Sequence, residues 1–445
     1  MFNLDRRRFL QYASASGLAT TCSWFPTFAD DLAKGPNRKR QCILLWMSGG
    51  ASQLDTFDMK PAHANGGEFK EIDTNASGVR ISEHLPQLAT MADQLAIVRG
   101  MSTKEGDHGR GTYLMRTGRR PGGPVAYPTI GSSLSKELGE NGSELPNFVS
   151  IAPYQQFNPG AFGPGFLGPK YAASTVGALN DYQPMPDNPD QPAGFAELGL
   201  DNLSPPTPIG DVREQRRLRT WRSLQKNFLR GRENGATLAH DTVYQKAIRM
   251  LDSTAVSAFN LTQESDSVRE AYGRGRFGQG CLMARRLIER DVPFVEVNLG
   301  FDSGGIGWDT HQNNFPAVRS LSEQLDRGWA TLMKELKDRD LLETTTILWM
   351  SEFGRTPTIN GNAGRDHFPA AWTCVFAGGG IAGGQVHGKT SADGMTVEEG
   401  KTDVGNVLAT LASAVGIDPA RENVSPIGRP FKIAEGTPIQ SILRS

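Results

Sequence analysis

The chain has 445 residues, and its 47 Lys and Arg against 48 Asp and Glu leave a net charge of −1. That balance excludes a global basic field for nucleic acid, and no run beyond the N-terminus reaches the roughly 18 apolar residues of a membrane helix. The cysteines at 22, 42, 281 and 374 are too few and too scattered for a disulfide framework.

The N-terminus carries Arg6-Arg7-Arg8-Phe9-Leu10-Gln11, a twin arginine before Phe-Leu, which reads as a twin-arginine export signal. The stretch from Gln11 to Trp24 is mildly apolar and too short to span a bilayer. Thr27-Phe28-Ala29 offers a small-x-small cleavage site before Asp30. Residues 1–29 are therefore expected to be a signal peptide. The mature protein is expected in the periplasm or outside the cell, with no stable membrane span.

Beyond residue 30, short apolar runs alternate with amphipathic helices, the pattern of an α/β fold with a mainly parallel sheet sandwiched by helices. Strands are predicted at Cys42–Met47, Leu95–Arg99, Phe148–Ile151, Pro293–Leu299, Thr345–Met350 and Trp372–Ala377. Val318, Leu321, Leu325, Trp329, Leu332 and Leu336 recur at three- and four-residue spacing and predict a helix over Val318–Lys337. A helix over Gly280–Arg290 feeds the strand at Pro293. Val404 to Val415 predict a closing helix that Gly416 stops.

Residues 153–275 break this rhythm and read as an insertion within a single domain spanning 30–445. Its first part, 153–210, is rich in Pro, Gly and Asn and reads as long loops or a lid. Its second part, 211–275, is charged and helical. Arg213, Arg216, Arg217, Arg219 and Arg222 there read as a solvated helix face.

Ligand-type residues gather just after the predicted strands, where open α/β sheets bind their ligands. The first strand runs into Ser48-Gly49-Gly50-Ala51-Ser52-Gln53-Leu54-Asp55-Thr56-Phe57-Asp58. Asp55 and Asp58 there suit either a metal or the capping of a turn. Glu105-Gly106-Asp107-His108-Gly109-Arg110 opens a presumed helix at Tyr113–Thr117, and His108 and Arg110 suit proton transfer and oxyanion binding. Trp308-Asp309-Thr310-His311 follows the fourth strand, with Asp302 as a weaker neighbour. Ser351-Glu352-Phe353-Gly354-Arg355 follows the fifth, and Gly364-Arg365-Asp366-His367 precedes the sixth. Asp and His at such spacings suit a metal. His387 is a weaker candidate, and His63, His84 and His240 read as structural.

The order of these motifs resembles the alkaline phosphatase/sulfatase superfamily. More closely, the strings Met47 to Asp58, His108-Gly109-Arg110-Gly111, Trp308 to His311, Glu352 to Pro357 and Gly364 to His367 resemble the DUF1501 family, over most of residues 40–440. The resemblance implies an alkaline phosphatase/sulfatase-like core. Leu114-Met115-Arg116-Thr117-Gly118-Arg119-Arg120-Pro121 is similar to the helix end after a sulfatase nucleophile. That likeness puts His108 where sulfatases carry the residue converted to formylglycine. Glu352 and Phe353 stand where sulfatases have an Asp and a His, and Ser48 replaces the usual Asp after the first strand. Formylglycine chemistry is therefore not expected.

Together these readings predict a metal-dependent hydrolase of phosphate or sulfate esters, acting on a small or polymeric anionic ester. Its divalent metal, zinc or manganese rather than calcium, is expected to be held from among Asp309, His311, Glu352, Asp366, His367 and Asp55. His108 is expected to act as nucleophile or acid/base, with Arg110 and Arg355 on the non-bridging oxygens. The alternative is a catalytically inactive member that binds sulfated or phosphorylated polymer.

Overall fold

Strand β1, Gln41–Met47, is buried at every position, because it lies between two other strands with helices over both faces. Its side chains alternate between two cores. Ile43, Leu45 and Met47 enter one, while Cys42, Leu44 and Trp46 enter the other. The computed structural model describes residues 40–139, 144–177, 194–200, 210–232, 235–251, 253–300 and 307–444. The export-signal reading of 1–29 and Asp302 lie outside the described residues.

The remaining strands of the main sheet are β2 (Leu95–Met101), β3 (Phe148–Ile151), β4 (Ser174–Val176), β5 (Phe294–Leu299), β6 (Thr345–Met350), β7 (Trp372–Gly378) and β8 (Gln385–His387). Their spatial order is β8-β2-β7-β6-β1-β5-β3-β4. Strand β7 runs antiparallel to both its neighbours, and every other pairing is parallel. The start of β7 therefore lies at the same edge as the ends of β1, β2, β5 and β6.

Helices α1 (His108–Thr117), α2 (Ile130–Glu137), α3 (Asp211–Leu229), α4 (Gly235–Leu251), α5 (Arg276–Ile288), α6 (Asn314–Asp338) and α7 (Val404–Ala414) complete the frame. Helices α5 and α6 bury their apolar faces in the first core, and α7 in the second. The stripe of α6 is the expected one, with Val318, Leu325, Trp329, Leu332 and Leu336 fully buried. Helix α1 begins at His108, earlier than the expected Tyr113, because the Asp107 carboxylate accepts from the Arg110 amide at 3.0 Å and caps the first turn.

Within 153–275, Ser174–Val176 joins the main sheet as its edge strand β4. Helices α3 and α4 meet through Trp221 and Tyr244, stacked at 5.4 Å. Arg213, Arg216, Arg217, Arg219 and Arg222 are all exposed, as a solvated face requires. Among the described residues, no helix is long and apolar enough to cross a membrane.

Candidate metal centre

The site forms at the edge where β1, β5 and β6 end and β7 begins. Gly49, just after β1, has φ +110°, and a Cβ there would stand 2.4 Å from the Asp309 amide nitrogen. Only glycine lets the first loop approach the Asp309 segment so closely. The Trp308 amide donates to the Ser48 carbonyl at 3.0 Å and pins the same contact from the other side.

Asp309 is the hub. Its Oδ1 lies 3.2 Å from His108 Nε2, 3.1 Å from His311 Nε2 and 3.2 Å from His367 Nε2. Arg355 Nη2 also donates to it. His311 Nε2 and His367 Nε2 are 3.0 Å apart. Donor atoms of His108, Asp309 and His367 all lie within 4.8 Å of one another. His311, with 41% of its side chain exposed, touches Asp309 and His367 from the solvent side.

The other nitrogen of each ring is occupied. His108 Nδ1 meets Glu352 Oε1 at 2.8 Å, His311 Nδ1 meets Asp366 Oδ1 at 2.7 Å, and His367 Nδ1 meets the Gly106 carbonyl at 2.7 Å. Carboxylates and carbonyls only accept, so each Nδ1 carries a hydrogen. A neutral imidazole so held turns a bare Nε2 toward Asp309. Two such lone pairs at 3.0 Å need a shared proton or a shared cation between them. His108 Nε2 is buried without a partner in hydrogen-bonding geometry, as is Glu352 Oε2.

These donors fit a divalent cation. Ligands about 2.0–2.1 Å from a tetrahedral ion stand roughly 3.3 Å apart, close to the separations seen here. Protons compete for the same atoms. Burial lowers the His108 pKa, but Asp309 and Glu352 on its two nitrogens outweigh burial and lift it to about 9. Burial likewise opposes the Asp309 charge, and His108, His367 and Arg355 outweigh it, holding that carboxyl far below the usual range.

Aromatic rings wall the centre. Phe157 stacks on His108 at 4.1 Å, and Phe353 packs against His108 and His367 at 5.0 and 4.6 Å. Tyr154 packs on Phe157, and burial together with the Asp309 charge raises its hydroxyl pKa.

Several expected placements are corrected. His108 stands among the atoms that could hold a metal, because its Nε2 faces Asp309. Glu352 is fully buried behind His108, where Oε1 also accepts from the Gly49 amide at 2.8 Å. Asp366 backs His311 from the solvent side, with about half of its own side chain exposed. Asp55 is buried away from the cluster in a two-pronged pair with Arg365, at 2.8 and 2.9 Å, with Ser52 and Asn314 as further donors. Arg355 is no free oxyanion clamp. Its guanidinium is buried and donates to the carbonyls of Gly49, Gly50 and Arg365 as well as to Asp309. Arg110 points to solvent and pairs with Glu105 at 2.9 Å. Asp58 is buried against Lys60, Arg99 and Thr390. His387 lies on β8, within 3.2 Å of Ser441.

The match to a family model extends over residues 39–443. The chain belongs to DUF1501, a protein family of unknown function. No curated protein matches the DUF1501 chain. Among solved structures it is similar to the PsFucS1 sulfatase from Pseudoalteromonas sp., at 12% identity and a TM-score of 0.40, over 88% of this chain and 70% of that one. It is similar to a protein in the alkaline phosphatase superfamily from Vibrio parahaemolyticus, at 10% identity and a TM-score of 0.37, over 86% and 67%. It is also similar to the lipoteichoic acid synthase LtaP from Listeria monocytogenes, at 8% identity and a TM-score of 0.38, over 86% and 73%. Identities and superpositions this low transfer no function to the DUF1501 chain.

Proposed function

We propose that this protein is an exported metal-dependent hydrolase of phosphate or sulfate esters. The observation that carries the metal is the convergence of His108 Nε2 and His367 Nε2 on Asp309 Oδ1, with each imidazole fixed through its far nitrogen. Two histidines and a carboxylate leave a coordination position open, as catalytic sites do. Zinc or manganese suits this nitrogen-and-oxygen set better than calcium. A divalent cation here supplies Lewis acidity, lowering the pKa of water and polarising an ester oxygen.

The chain's own residues do the rest. Glu352 and the Gly106 carbonyl orient His108 and His367, and Arg355 fixes Asp309. His311, backed by Asp366 and open to solvent, is placed to take and return a proton. Phe157 and Phe353 restrict water on the flanks. The ester class is supported by the motif order shared with the alkaline phosphatase/sulfatase superfamily, and export by Arg6-Arg7.

One feature favours a second reading. If His311 closes the site as a fourth protein ligand, the metal is saturated and the protein binds an anionic polymer without turning it over. Elemental analysis of the mature protein, with hydrolysis of aryl phosphates and aryl sulfates, separates these readings. One equivalent of zinc or manganese with turnover supports the hydrolase, and metal without turnover on either ester supports the binder. A protein that takes up neither metal sinks both, and an iron-loaded one redirects the site to oxygen chemistry. Arg6→Lys with Arg7→Lys, followed by cell fractionation, tests the export route. Unchanged export would remove it.

A further inference from the structure

A cavity of about 790 Å³ opens beside the metal centre and is not part of it. Ser102, Thr103 and Lys104 form one wall, directly after β2. The N-terminus of α7 forms another, and Met395 and Lys401 lie at the rim. The segment from Thr103 to His108 separates cavity from metal. The Thr103 amide donates to the Pro369 carbonyl at 2.7 Å, and the Gly106 carbonyl holds His367. Ala370 lines the cavity three residues after His367, so their Cα atoms are at most about 11 Å apart. Both features sit at the same edge of the sheet.

The charges around this cavity are not balanced. Asp403 caps α7 through the Asn406 amide, and Glu435 pairs with Arg119, so both lining acids are occupied. Lys104 and Lys401 are exposed and have no ion-pair partner among the described residues. Arg120 adds a third cation, paired to Glu105 at 3.4 Å. Leu114, Val404 and the exposed Met395 supply apolar wall for the body of a ligand. Two free ammonium groups over an apolar floor, next to a metal, suit a ligand with more than one anionic group.

We propose that this cavity is the subsite for a second anionic group of the substrate, so that the ester presented to the metal centre is carried on an oligomeric anion. The proposal rests on the hydrolase reading for its chemistry, but its binding test does not need turnover.

The test is titration calorimetry on the metal-loaded mature chain. The probes are a short dextran sulfate, a linear polyphosphate of similar charge, and inorganic sulfate and phosphate. One oligomer should bind about tenfold or more tighter than its own monomeric anion, since its second group gains from being tethered. The tighter of the two oligomers identifies the anion. Lys104→Ala with Lys401→Ala should remove that gain while metal content stays at the wild-type level. Thr396→Trp, which fills the cavity without touching charge, should do the same. Oligomers that bind no tighter than the single anions overturn the proposal, as does an oligomer affinity unchanged in both variants. If the variants lose oligomer binding but no ester is hydrolysed, only the hydrolase reading fails. If esters are hydrolysed and oligomer binding ignores both variants, only the cavity proposal fails.

Discussion

Glu352 Oε1 and His108 Nδ1 lie 2.8 Å apart, and the same oxygen accepts the Gly49 amide at 2.8 Å. One buried carboxylate thus ties β6 to the loop after β1 and sets the tautomer of His108. Replacing it by Glu352→Gln keeps the shape but offers the ring a weaker acceptor. Metal affinity should fall by about 10–100-fold, with little change in secondary structure. Competition with a chromogenic chelator reads the affinity, and wild-type affinity in the variant would remove Glu352 from the site's support.

His311 and Asp366 should separate metal binding from turnover. His311→Ala is expected to keep the metal and to slow ester hydrolysis by about 10²–10⁴-fold. Asp366→Asn should act in the same direction through the ring it orients. Metal content and kcat measured on the same samples decide the matter. Metal loss in His311→Ala equal to that in Asp309→Ala makes His311 a ligand and not a proton carrier.

Asp55→Ala should damage the fold rather than the centre. It leaves the Arg365 guanidinium buried and unpaired, at a cost of about 3–5 kcal/mol. Denaturant unfolding should show that loss, while the folded fraction still binds metal at the wild-type ratio. A stable Asp55→Ala protein that lacks metal would return Asp55 to the ligand set.

Acid should weaken the α5 side of the fold. Burial opposes the Glu264 charge, but Arg285 at 3.0 Å and Arg286 outweigh it and hold the Glu264 pKa below its ordinary 4.5. A carboxyl whose folded pKa is depressed stabilises the protein above 4.5, and that contribution is lost as pH falls through the folded value. Thermal midpoints from pH 7 to 3 should therefore fall less steeply in Glu264→Gln than in wild type. Parallel slopes would mean the pair contributes nothing measurable.

The main frame was legible because burial on both faces writes itself as apolar runs. Cys42–Met47 and Thr345–Met350 have no other good explanation, and the stripe on α6 is a plain helical period. The gathering of Asp309, His311 and His367 was legible for a related reason, since all three flank strand ends at one edge. Their division of labour was not. Whether Glu352 meets a metal or a histidine depends on a gap of a few ångströms between segments far apart in the chain. The Arg365 that takes Asp55 out of the cluster lies 310 positions from it, and neither local string announces the pair. The Gly106 carbonyl carried no side-chain signal at all, and Phe157 lay in a stretch whose Pro and Gly content spoke only of loops.

The distances along the chain have a consequence for how the centre is filled. His108 and Glu352 are separated by 244 positions, Gly49 and Glu352 by 303, and Asp309 and His367 by 58. An unfolded chain therefore offers an ion only short local pairs, such as Asp309 with His311 or Asp366 with His367, and not the assembled set. Capture has to wait until the parallel strands have paired. Under the metal reading proposed above, the ion would then be selected by what is present where folding finishes, and the order of events, more than the Irving–Williams ranking, would set its identity.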